Sequence, residues 1–343
     1  MEAKGKRFKG NENGQNKKKK IVGQKIGIVI LIILIIIVIV LGIGVGLFAQ
    51  KIGNIDFSDI DKSKIEINED LYDEVSNSVS KDEFNKIKNV VLFGIDGGRS
   101  DTIMIVSINQ VDKNIKLISI PRDTYVSIEG HGKTKINHAY AYGKEQLAIK
   151  TINSNFGLNI SEYVTINFKG LINVINTIGG IELTITKAEM EYINMHSNES
   201  YALTGKPVQL LSSYGKVKLT GEQALTHSRN RTVGNDFTRE ERQRDVLTAV
   251  MNKVSTMSIT QLWNLSDSVL SEVKTNLNVS ECMGIASDVL GNTSSYLNNI
   301  TSKQIPSEDD GGKGDSTMDG GIYYYVCDLQ KASKNMKNTI YGE

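Results

Sequence analysis

The chain has 343 residues, with 40 Lys and Arg against 39 Asp and Glu, four His, two Cys and three Pro. Beyond residue 25 it carries 31 basic and 37 acidic side chains and no basic stripe, which excludes nucleic acid as a partner. Four scattered His and two Cys at no metal-motif spacing exclude a zinc centre, although an oxidising compartment would permit a disulfide between Cys282 and Cys327.

Residues 1–25 hold nine Lys and Arg against two Glu and are expected to form a cytoplasmic basic tail. Residues 26–49 carry no charge and are dominated by Ile, Val and Leu. At about 1.5 Å per residue such a helix reaches roughly 36 Å, enough to cross a hydrocarbon core of about 30 Å. The run is too long for the apolar part of a cleaved signal peptide and ends in no small-residue cleavage site, so it predicts a retained transmembrane helix. The flank beyond it is rich in Asp and Glu. This asymmetry predicts a single-pass protein of the cell membrane with its N-terminus cytoplasmic and its body extracellular. Residues 50–88, acidic and rich in Asn and Ser, are expected as an extracellular linker that is at most partly helical.

Residues 89–343 have the pattern of one α/β domain: a central mixed β-sheet with helices on both faces, in three layers. Apolar, β-branched runs at 89–95, 102–108 and 115–120 predict buried strands, and 124–128 a short one. A loop at 130–132 and the segment Lys133-Thr134-Lys135-Ile136-Asn137 lead into a helix over 139–156. A strand at 163–168, a helix at 169–178 and a strand at 181–185 follow, an alternation that predicts a partly parallel sheet. Residues 187–219 start as a helix and continue as short strand-like pieces. Thr220–Gln223 and Thr238–Glu241 both have the capping-box pattern of a helix start. The second opens an amphipathic helix with Val246, Leu247, Val250, Met251 and Val254 on one side. Helices at 259–271 and 280–290, a loop at 307–321, a strand at 322–326 and a helix at 328–338 complete the chain.

Chemistry concentrates where strands end. Asp96, Gly97, Gly98, Arg99 and Asp101 form a predicted loop between the first two strands, and Pro121-Arg122-Asp123 closes the third. Two carboxylates and two guanidiniums there suit a metal ion and a phosphorylated ligand, or a set of structural ion pairs at a sheet edge. The arginines sharpen this. Of only eight in the chain, seven are Arg99, Arg122, Arg229, Arg231, Arg239, Arg242 and Arg244. A guanidinium grips phosphate oxygens with two parallel hydrogen bonds, which a lysine cannot do. Arg229 and Arg231 lie just past a short helix in a polar loop. Arg242 and Arg244 fit equally well as partners of Asp236, Glu240, Glu241 and Asp245 on a solvated helix. Arg239 and Gln243 share a helical face with Val246 and Val250, a polar grip followed by an apolar stripe that suits a phosphate head with a hydrocarbon tail. No His has a matched carboxylate in sequence, so His131, His138, His196 and His227 are expected in structural or surface roles. Tyr323, Tyr324 and Tyr325 fit a strand, and Trp263 the core.

Four stretches, G-I-D-G-G-R-S-D-T, S-I-P-R-D-T, T-K-I-N-H-A-Y-A-Y-G and L-T-G-E-Q-A-L-T-H-S-R-N-R-x4-D-F-T-R-E-E-R-Q, together resemble the LytR-CpsA-Psr family. The resemblance is strong over 88–254 and looser over 320–338. It implies a membrane-anchored phosphotransferase of Gram-positive cell envelopes. Such an enzyme moves a glycopolymer, such as teichoic acid or capsule, from an undecaprenyl-pyrophosphate carrier to peptidoglycan and leaves a phosphodiester link. Carried over, Asp96 and Asp101 would hold Mg²⁺, or Mn²⁺ in its place. Arg99, Arg122, Arg229, Arg231, Arg239 and Gln243 would surround the pyrophosphate. Asp123 and Lys135 would support it or face the substrate, with Arg99, Arg122 and Asp123 as the catalytic set. The loop between the two aspartates is shorter than is common in the family. A non-catalytic regulator that binds polyprenyl phosphates, and a lipid pyrophosphatase, are the alternative readings.

Overall fold

The computed structural model describes residues 56–342, apart from Gly97, 200–204, 206, 231–241, 317–318 and scattered positions between 243 and 271. The predicted membrane span, the helix start at Thr238 and Trp263 lie outside the described residues. Among those that are described, no helix is long and apolar enough to cross a membrane.

The described chain opens with strand β1 (Asp56–Phe57) and two five-residue helices, α1 (Leu71–Val75) and α2 (Lys81–Asn85). Ile65, Leu71, Val75 and Val79 are buried in the main core, so 56–88 is part of the folded body and not the expected linker. These apolar residues are spread over turns too short to give a periodic signal, which is why the acidic composition misleads.

The centre is built by β2 (Ile87–Asp96), β3 (Arg99–Asn109) and β4 (Asn114–Ser119), paired antiparallel in sequence. Val90, Leu92, Met104, Val106 and Leu117 face one layer, and Val91, Phe93, Ile103, Ile105 and Ile118 face the other. Burial on both faces explains why these strands are continuous apolar runs and not alternating ones. The expected loop at Asp96 is instead a tight hairpin: Asp96 pairs with Arg99, and Gly98 takes the positive φ of 85° that a two-residue turn requires.

After β4 a small hairpin, β5 (Tyr125–Ile128) and β6 (Gly132–Lys135), precedes helix α3 (Asn137–Phe156). Strand β7 (Glu162–Asn167) then joins β2 in parallel, and α4 (Phe168–Thr177) begins at once, capped by the Asn167 side chain. Strand β8 (Ile181–Ile185), helix α5 (Lys187–Met195), strand β9 (Gly215–Leu219) and helix α6 (Gly221–Arg229) follow, the last with the predicted capping box at Thr220. β8 pairs only with β9, in a separate two-stranded sheet, and does not extend the central one as expected. β10 (Val273–Thr275), α7 (Val279–Gly291), α8 (Thr293–Asn298) and β11 (Ile300–Gln304) come next, then β12 (Lys313–Asp315), β13 (Tyr324–Val326) and α9 (Leu329–Tyr341).

The central sheet has the order β1-β10-β7-β2-β3-β4-β11, with parallel pairs at β1–β10, β7–β2 and β4–β11. It is mixed, as expected. One face packs on α4, α6, α7 and the β8–β9 ribbon through Ile175, Ile181, Ala224 and Val289. The other packs on α3, α9 and α1 through Ile149, Phe156, Met336 and Leu71. Among the described residues Cys327 is a free thiol, and burial, with Asp310 and Asp328 nearby, pushes its pKa up to about 11. The side chain of Cys282 lies outside the described residues.

Candidate active site

β2, β4 and β7 run in one direction, so Asp96, the Pro121-Arg122-Asp123 turn and Asn167 arrive at the same edge of the sheet, where β3 begins. The pairing slips there: Gly94 faces Thr102 but Ile95 faces Ser100, which leaves Asp101 as the extra residue of a bulge. Bulges re-aim a side chain out of the ladder. Asp101 Oδ1 accepts a hydrogen bond from Arg122 Nη1 at 2.6 Å. Arg122 Nε lies 3.5 Å from Asp123 Oδ2, and Asp123 Oδ1 lies 2.8 Å from Lys135 Nζ. Four charges of alternating sign thus form a chain, each side chain about one-fifth to one-quarter exposed.

The backbone holds this chain from two sides. Ile136 N donates to Thr124 O at 2.8 Å and Asn137 N to Arg122 O at 3.2 Å, tying the turn to the β5–β6 hairpin and the start of α3. Tyr325 N donates to Asp123 O at 2.8 Å, tying it to β13. Burial disfavours the Arg122 cation, but Asp101 and Asp123 outweigh it and hold its proton more tightly than usual. The Nε–Asp123 contact is an ion pair without hydrogen-bond geometry, so Nε is a buried donor with no acceptor among the described residues. Ser100 Oγ and Asn137 Oδ1 are likewise buried and unmatched among them.

His138, expected in a structural or surface role, stands at this site. Its Nδ1 is 3.0 Å from Thr134 Oγ1, and burial, with Arg99 and Lys135 nearby, lowers its pKa against the pull of Asp123. The signal for it was its place in T-K-I-N-H, three residues past Lys135, where β6 gives way to α3.

The other candidates divide. Arg99 is exposed at the start of β3, opposite Asp96. Arg229 is the half-buried last residue of α6. Arg242 is buried and pairs with Glu189 of α5 at 2.6 Å, while its Nη1 donates to Asn230 O at 3.1 Å. It is therefore a structural tie across the second core. Beside it His227 is almost fully buried, and burial together with Arg242 drops its pKa to about 4 although Glu189 pulls the other way. Arg231, Arg239, Gln243, Arg244 and the side chain of Asp96 lie outside the described residues. Among those described, no cluster of three or more His, Cys, Asp or Glu is placed to hold a metal.

The sequence matches the model of the LytR_cpsA_psr family over residues 55–340. The chain belongs to this family. The match begins beside β1, so the LytR_cpsA_psr domain includes the segment that composition assigned to a linker. The chain is 32% identical over 287 residues to a polyisoprenyl-teichoic acid–peptidoglycan teichoic acid transferase, TagU, of Bacillus mycoides (strain KBAB4), covering 80% of this chain and 86% of that protein. A structure of TagT bound to LI-WTA superposes with a TM-score of 0.56 at 28% identity, covering 76% of this chain and 93% of that one. Another member of the LytR_cpsA_psr family, YwtF (TagT) with bound octaprenyl pyrophosphate lipid, has a TM-score of 0.52 at 28% identity, with coverage of 74% and 90%.

Proposed function

We propose that this chain transfers a glycopolymer from an undecaprenyl-pyrophosphate carrier to peptidoglycan, with Mg²⁺ assistance, from the outer side of the cell membrane. The observation that carries the reading is Arg122, clamped between Asp101 and Asp123 with a buried N–H left over, at an edge that also presents Arg99 and Lys135. The names of TagU and of the lipid-bound TagT add weight to it. In the transfer, an acceptor hydroxyl oxygen bonds to the phosphorus that bears the glycopolymer. The bond from that phosphorus to the lipid phosphate breaks, the hydroxyl proton is released, and lipid monophosphate leaves. In this reading Arg122 and Arg99 neutralise charge on the phosphoryl oxygens, and Arg229 holds the diphosphate. Asp123 orients Arg122 and Lys135. Such catalysis depends on positioning and charge more than on covalent participation by the protein.

The donors at the edge fit magnesium. Asp101 spends one carboxylate oxygen on Arg122 and keeps the other, and the hairpin puts Asp96 two pairings away from the bulge. One or two carboxylates suffice for this ion, since water and phosphate oxygens fill the rest of its octahedron. Bound there, the cation would neutralise charge building on the leaving lipid phosphate.

The test is the full chain with a lipid-pyrophosphate oligosaccharide and peptidoglycan fragments, read by mass spectrometry with and without a chelator. A phosphodiester-linked product that is lost with chelator and in Asp101→Asn is the expected result. Release of lipid phosphate without an adduct would identify a hydrolase, and tight lipid binding without turnover a regulator. The predicted anchor at 26–49 is tested on intact protoplasts, where added protease should remove the body of the protein.

A further inference from the structure

Beside the charged edge stands a group of rings that the proposed transfer does not use. Tyr142 is half exposed, and the exposed His131, at the tip of the β5–β6 hairpin, stacks on it with ring centroids 4.0 Å apart and planes 16° from parallel. His138 lies four residues before Tyr142, on the same side of the first turns of α3, with its ring 5.9 Å away. Rings left open to water in this way have a cost, and the fold goes to some length to hold them.

Immediately after Tyr142 the helix breaks. Gly143 and Lys144 leave helical geometry, and Lys144 takes a positive φ of 51°. For a non-glycine residue this is strained backbone, of a kind that collects at functional sites. A Cβ on residue 143 would fall 2.5 Å from that of Leu147, so glycine is required there. The break is pinned by a buried hydrogen bond across it, from Tyr140 Oη to Glu145 Oε1 at 2.8 Å, and Glu145 is held in turn by Lys274 at 3.2 Å. Tyr142 is thus presented by a rigid, strained corner and not by a mobile loop. The corner adjoins the site, since His138 Nδ1 lies 3.0 Å from Thr134 Oγ1 and the next residue, Lys135, pairs with Asp123 at 2.8 Å.

We propose that the stacked pair Tyr142 and His131, flanked by His138, is a platform whose outer ring face takes a pyranose ring of a glycan next to the reacting phosphate. The chemistry selects this class of ligand. A pyranose presents a flat face of C–H groups, slightly positive, to the negative face of an aromatic ring. Its edge of hydroxyls needs donors and acceptors, which His138, Thr134 and Lys135 supply around the rings. A polyprenyl tail would instead need a continuous apolar wall, and rings set beside Thr134 and the Lys135–Asp123 pair are not one. The sugar has two possible sources, the acceptor strand of peptidoglycan or the first residues of the donor polymer. The platform rests on the proposed transfer only for the choice between those sources.

Two measurements on the full chain in detergent test it. The first is binding of an N-acetylglucosamine tetrasaccharide alone, followed by saturation-transfer NMR. Tyr142→Leu should weaken it roughly 3- to 10-fold, the range of one ring contact, while Tyr142→Trp should preserve it. Unchanged melting of Tyr142→Leu confirms that a half-exposed side chain was removed without unfolding. Equal affinities of Tyr142→Leu and the parent chain, or no binding to either at millimolar sugar, would overturn the platform. The second is the KM of each substrate in the transfer reaction. A rise in the acceptor KM with kcat held assigns the acceptor strand, and a rise in the donor KM assigns the donor sugar. No rise in either overturns the proposal. If the chain catalyses no transfer at all, the proposed function fails, and the binding measurement still decides the platform.

Discussion

Two arginine–carboxylate groups in this molecule look alike in sequence and differ in kind. At the sheet edge, Arg122 sits between Asp101 and Asp123, partly open to water, with donors left over. In the second core, Arg242 is bound to Glu189 with both side chains about nine-tenths buried and a backbone carbonyl taking up another N–H. The first group, partly open to water, can take a further anion; the second is closed to water. Clustering of arginine in a lysine-rich chain therefore marks places where a planar cation is needed, and only burial tells recognition from construction.

The largest expected effect comes from breaking the closed group. Glu189→Ala strands the Arg242 charge and should cost about 3–5 kcal/mol of stability, whereas Asp101→Ala at the open edge should cost no more than about 1 kcal/mol. Chemical denaturation of both variants checks this. The replacement of Glu189 and Arg242 together by Leu and Met should recover most of the loss. If the single and double variants are equally unstable, the pair is not the tie described here.

The next effect uses pH. His227, beside the closed pair, has a folded pKa of about 4 against about 6.5 when unfolded. The unfolded chain binds the proton more readily, so this contribution is complete above the unfolded value and is lost as pH falls through 6.5 toward 4. Between pH 7 and pH 5 the loss amounts to about 2 kcal/mol. The stability profile of His227→Gln should be flatter by that amount over this window. A profile identical to that of the parent would mean that His227 is not titrating in the core.

The smallest free-energy change should have the largest functional consequence. Arg122→Lys keeps the charge but loses the fork, and is expected to lower transfer at least tenfold, about 1.4 kcal/mol, with melting unchanged. Arg242→Lys should do the reverse, lowering melting far more than the turnover of the folded fraction. Parallel losses of activity and stability in both variants would erase the distinction.

Much of this was legible in the sequence because it rests on local pattern. The three central strands, the capping box at Thr220 and the Pro121-Arg122-Asp123 turn are set by neighbouring residues. What was not legible depends on distant partners. β6 is Gly-Lys-Thr-Lys, with no apolar alternation, and becomes a strand only because β5 offers it a ladder. β8 has a good strand sequence, but which sheet it joins is decided by β9, thirty residues on. Arg242 has four acids close in sequence, and nothing local signals its pair with Glu189, 53 residues away. His138 lacked a carboxylate partner in sequence, and the charges that bear on it are supplied by the fold.

The two ends of the described chain are fastened to each other. Phe84 stacks on Tyr341, Lys337 pairs with Glu74, and α9 lies against α1 and α3 over a shared core. β1 and β11, at the outer edges of the sheet, each close it with a parallel pair to a strand far away in sequence. Contacts of such long range form late in folding, since the loops they close are costly until the rest is in place. A nascent chain would thus carry the β2–β4 edge with the core on one face of its sheet incomplete until the last thirteen-residue helix adds Ala332, Met336 and Ile340. A chain cut short before α9 would lose one side of the core around Phe156 and should be open to proteases.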